Sequence, residues 1–170
     1  MSAKWSVAPI IKKQLSTLVD QNDPKQRPRL GDYLGLFGIP LILAIAAFFA
    51  EFRLRGIEGL LGGVAIFTAL LFGLLVHVFT LGLRITDDPR ISKSGKTAQL
   101  VDQLQGNVAY AVLVGLFTTT VLIVGVSTTL KDHALGVPIS AITVFSICHL
   151  LMIMLMALKR TQAAYEQFRL

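Results

Sequence analysis

Four long apolar stretches, 34–50, 59–83, 108–130 and 138–158, decide what this chain can fold into. The bilayer core is about 30 Å thick and takes roughly 20 apolar residues per helix. In lipid every backbone polar group must find its partner within the protein, so such stretches become helices. The 170-residue chain is 54% hydrophobic and 15% charged, well below the charge of about a quarter typical of a soluble domain. The expectation is an all-α integral membrane protein. Its four transmembrane helices form two antiparallel hairpins, and an amphipathic interfacial helix precedes them.

Charge sets the orientation. With the amino terminus inside, Lys4, Lys12, Lys13, Lys25, Arg27, Arg29, Arg84, Arg90, Lys93, Lys96, Lys159, Arg160 and Arg169 are cytoplasmic. Arg53, Arg55 and Lys131 are external, a split of 13 to 3. Positive charge is retained inside, so both termini are expected in the cytoplasm of a multi-pass protein of a bacterial inner membrane. The net charge of +6 follows from this bias and from attraction to anionic headgroups. A nucleic-acid partner is not expected. No short apolar segment with a cleavage site precedes the first span, so no cleavable signal peptide is expected. Cys148 is the lone cysteine, which leaves no disulfide within the chain.

The expected organisation runs in five parts. Residues 1–30 are a cytoplasmic amphipathic helix and linker, and 31–83 the first hairpin. Residues 84–107 are a cytoplasmic loop, 108–158 the second hairpin, and 159–170 a cytoplasmic tail. In "SVAPIIKKQLSTLVD", Ser6 can cap a helix and Pro9 falls in its first turn. Val7, Ile11, Leu15 and Leu18 make one face, and Lys12, Ser16 and Asp20 another, as in a helix lying on a membrane. Packing on a neighbouring subunit is the alternative. Pro40 predicts a kink early in the first span. In the loop, Thr97 can cap a helix that runs towards the third span, with Gly106 and Asn107 at the join.

The chemistry-bearing motifs are few. "SKSGKT" ends like a phosphate-binding loop, but Arg90 stands where its first glycine belongs, and no strand precedes it. No span carries Asp, Glu, Lys or Arg in its interior, which argues against a proton-coupled exporter. No nucleophile–base pair suggests a protease, so no catalytic residue and no metal site is expected, and the protein reads as a non-enzyme. Lys12, Lys13, Arg84, Arg90, Lys93 and Lys96 are candidates for contact with lipid or a cytoplasmic protein partner.

Small residues four apart let membrane helices approach closely. Ala65, Ala69, Gly73 and His77 form such a row in the second span, with Gly62 and Thr80 beside it. Ala111, Gly115 and Thr119 form another in the third. These rows are the expected helix-packing faces, with Gly73→Leu expected to disrupt the hairpin or the oligomer and the same change at Gly125, off the row, to be milder. His77 and His149 are the imidazoles at membrane depth, roughly 10 and 15 Å from the inner boundary at about 1.5 Å per residue. A hydrogen bond between helices, a pore lining, and axial ligation of a haem are the roles open to them.

"GGVAIFTALLFGLLVHVFTL" and "LVDQLQGNVAYAVLVGLFTTTVLIV", with Asn107 and Tyr110 before the third span, resemble small four-helix membrane subunits of bacterial anti-phage defence systems, of the Kiwa type. The resemblance covers the second and third spans and the loop between them. It implies an oligomeric inner-membrane component that senses attack or perturbs the membrane together with a cytoplasmic partner. It brings no catalytic residues. The expected function is therefore a non-enzymatic homo-oligomeric membrane subunit, a channel-like effector or an anchor and sensor, without cofactor. The alternative is a haem b- or quinone-linked anchor of an electron-transfer complex using His77 and His149.

Overall fold

The computed structural model describes residues 6–16, 30–87, 96–128 and 134–168, and these are helical with short connections and no strand. Helix α1 is Ala8–Ser16. The first apolar run is α2 (Leu30–Tyr33), a π-helical turn (Leu34–Gly38) and α3 (Ile39–Phe49), continuous with one another. Then follow α4 (Ile57–Asp87), α5 (Lys96–Thr128) and α6 (Val137–Phe168). The stretches Ile57–Arg84, Ala98–Thr128 and Val137–Lys159 are each long and apolar enough to cross a membrane, whereas the apolar helix Leu34–Phe49 is shorter.

The π turn has a local cause. Pro40 has no N–H and its ring crowds the preceding turn, so the helix widens just before it and Ile39 N–H bonds to the Leu34 carbonyl, five residues back. Gly106 and Asn107 do not interrupt α5, which runs unbroken through the expected join. Much of the expected loop 84–107 is thus helical.

The helices lie in the order α4, α5, α6, α3, each packing on the next. The first hairpin is therefore connected but not packed as expected: α3 lies on α6, α4 lies on α5, and the backbones of α3 and α4 do not meet. The cause is the turn between them. It lies against the segment that opens α6, where Leu135 N–H donates to the Leu54 carbonyl at 2.9 Å and Leu54 N–H to Ser140 Oγ at 3.0 Å. Helix α3 ends in a Schellman turn with Glu51 at φ 49°, Glu51 N–H bonding to Phe48 O and Phe52 N–H to Ala47 O.

Two apolar clusters fill the layer between helices. One joins Leu36, Leu71, Ala111, Val112, Leu150 and Ile153. The other joins Ile57, Val64, Leu122 and Leu135. Four buried hydroxyls bond within their own helices, whereas Ser140 Oγ accepts from Leu54 N–H. Thr68 bonds to Val64 O, Thr118 to Val114 O, Thr143 to Ile139 O and Ser146 to Ile142 O, at 2.7 to 2.9 Å. Each satisfies its donor one turn back, which lets it be buried without a partner on another helix.

Candidate functional site

The site forms around His149, buried where α6 meets α5 and the π turn. Its Nδ1 lies 2.8 Å from the Leu36 carbonyl oxygen, and its Nε2 lies 3.0 Å from Tyr110 Oη. A carbonyl only accepts, so Nδ1 carries the proton. In the neutral ring Nε2 then accepts, and the Tyr110 hydroxyl donates to it. Both ring nitrogens are used.

Leu36 lies four residues before Pro40, the position whose N–H would serve its carbonyl in an α-helix. The proline cannot donate, and His149, 113 positions away in sequence, does. The imidazole is also enclosed by rings. Phe37 lies 4.8 Å away centroid to centroid, Phe145 is stacked at 5.6 Å, and Tyr110 meets it edge-on at 5.7 Å. One side chain thus ties three helical runs together through two hydrogen bonds. Tyr110 entered the sequence reading only through the resemblance, and Leu36, Phe37 and Phe145 not at all. The signal for Leu36 was Pro40 four residues later; nothing local points to the ring cage.

His77 is elsewhere. It is exposed on α4, away from α5, and the backbones of α4 and α6 do not approach. The two histidines are not brought together, and His149 has no free nitrogen. The pair does not fit axial haem ligation. Among the described residues, no group of three or more His, Cys, Asp or Glu could hold a metal ion.

The small-residue rows divide. Ala111 and Gly115 are buried on α5. A Cβ added at Gly115 would collide with the Thr68 side chain, so glycine is what allows α4 to seat there. Ala65, Ala69 and Gly73 do not form the α4 face of this contact: they are exposed, with Gly62, His77 and Thr80, on the far side. Helix α4 packs instead through Val64, Thr68, Leu71 and Val78. Lipid drives no sorting of apolar from small residues, so the bulkier side chains can turn inward. Gly73 has open space around it, while a Cβ at Gly125 would lie 2.5 Å from Leu135 Cδ2. Within the chain the expected sensitivities are therefore reversed.

Of the basic candidates, Lys12 and Arg84 are exposed. Lys13 is bound to Asp102, with Nζ 2.6 Å from Oδ1, and is no free lipid contact. Lys96 opens α5. Arg90 and Lys93 lie outside the described residues.

These features define a helical protein with spans suited to a membrane. No family model matches the chain, and no curated protein or solved structure matches it either.

Proposed function

We propose that the protein is a non-enzymatic, homo-oligomeric subunit of a bacterial inner membrane, an anchor and sensor. In this reading it has four spans, counting 34–50, both termini in the cytoplasm, and α1 at the inner boundary. The observation that carries it is the outward face of α4, with Gly62, Ala65, Ala69, Gly73, His77 and Thr80 all exposed. A lipid-facing imidazole at membrane depth is costly, and ionisable residues there usually face protein or water. Small residues beside it allow close approach of another helix. A second copy provides both contacts. The resemblance to Kiwa-type membrane subunits supports a role in anti-phage defence, with 84–107 and the tails meeting a cytoplasmic protein.

A channel-like effector is the second reading, favoured because His77 and Thr80 share one side of α4 and could line an axis between copies. The test is Gly73→Leu, measured by light scattering in detergent. The variant should keep the thermal stability of the chain and lose its assembly. An unchanged assembly would refute the proposed contact.

A further inference from the structure

Helix α1 docks on α5 through Gln14, Lys13 and Leu15, the last residue of its apolar stripe, and leaves the start of that stripe uncovered. Ser6 Oγ accepts from Ala8 N–H at its start. Gln14 is fully buried, and Ile10 and Lys13 partly so. Lys13 reaches Asp102, and a Cβ at Gly106 would lie 3.1 Å from Lys13 Cγ. Glycine at 106 thus opens the space in which the lysine stem lies. Leu15 packs against the cluster containing Leu36, Leu71 and Ala111.

At about 100° per residue, Val7, Ile11 and Leu15 share one stripe. Leu15 of that stripe is seated on the protein core, and the start of the stripe is not. Val7 and Ile11 are 46% and 37% exposed in the chain by itself. Lys12 is exposed beside them.

We propose that α1 is a foot that binds the anionic headgroups of the inner leaflet. Val7 and Ile11 enter the interface, Lys12 meets the headgroups, and the Lys13–Asp102 pair with Gly106 holds the helix in that rotation. Apolar insertion with basic residues at headgroup level is the physics of interfacial helices. This inference rests on the membrane topology proposed above and not on the contact between copies.

The experiment uses the full chain with Cys148→Ser and a single fluorescently labelled cysteine at Val7, Ile11 or Ser16. The chain is reconstituted in nanodiscs of phosphatidylcholine, alone or mixed with phosphatidylglycerol. Lipids spin-labelled near the headgroup should quench positions 7 and 11 by about twofold more than position 16, as a helix lying in the interface requires. Lys12→Gln should reduce quenching in the anionic discs and leave the neutral ones unchanged. Asp102→Asn should narrow the difference between 11 and 16. Equal quenching at 11 and 16, or no effect of Lys12→Gln in anionic discs, overturns the foot. An external signal from a label at residue 94 in cells would instead overturn the topology beneath it.

Discussion

His149 Nδ1 lies 2.8 Å from the Leu36 carbonyl oxygen, the group that Pro40 leaves without its helical donor. A helix defect and a buried polar residue thus cancel each other's cost. Nothing in either segment by itself shows why both are there.

Removing the donor should expose that cost. His149→Leu leaves a carbonyl and a hydroxyl unpaired and should lose about 1 to 3 kcal/mol, given membrane hydrogen bonds of about 0.6 kcal/mol on average and about 1.7 at most. Tyr110→Phe should lose less. Combining it with His149→Leu should add almost nothing, since the bond is already gone. Denaturant titration in mixed micelles reads all three. Additive losses would mean that the two residues act separately.

Pro40→Ala supplies the missing N–H. In that background the loss from His149→Leu should shrink, because the helix can satisfy Leu36 itself. An undiminished loss would separate the histidine from the proline.

Much of the fold was legible in the sequence because hydropathy and helix length are tied by bilayer thickness. The apolar stretches after residue 57 correspond to α4, α5 and α6, and Pro40 to the distorted turn before it. The faces were not legible. In a soluble helix the polar side points to water, but here lipid-facing and core-facing residues are equally apolar. The small row on α4 therefore reads as a packing face, although the chain packs on Val64, Thr68, Leu71 and Val78. The partners of His149 were hidden for another reason: they come from segments 39 and 113 positions away.

Glycine substitutions measure the in-chain face. Gly125→Leu should destabilise strongly, by about 1 to 3 kcal/mol or more through overpacking, because Leu135 occupies the space its side chain needs. Gly73→Leu should leave the stability of the single chain within about 0.5 kcal/mol, as at exposed positions generally. Melting of monomeric protein in detergent compares them, and a reversed order would contradict the outward placing of Gly73 and the contact of Gly125 with Leu135.

Glu51 stands at a left-handed position where glycine is the usual residue. Glu51→Gly should stabilise by about 0.5 to 1 kcal/mol, relief of the side-chain clash outweighing the added freedom of the unfolded chain. A lower melting temperature would show that the glutamate side chain contributes something that outweighs the strain.

The contact between copies is tested most directly by cysteine cross-linking in native membranes. With Cys148→Ser as background, single cysteines at Ala69, Gly73 and Gly115 are oxidised and resolved by mass. The account predicts dimers from Ala69→Cys or Gly73→Cys, which lie on the outward face of α4, and none from Gly115→Cys, which is covered by Thr68. Monomer at all three positions, at expression levels where a control dimer cross-links fully, would contradict it.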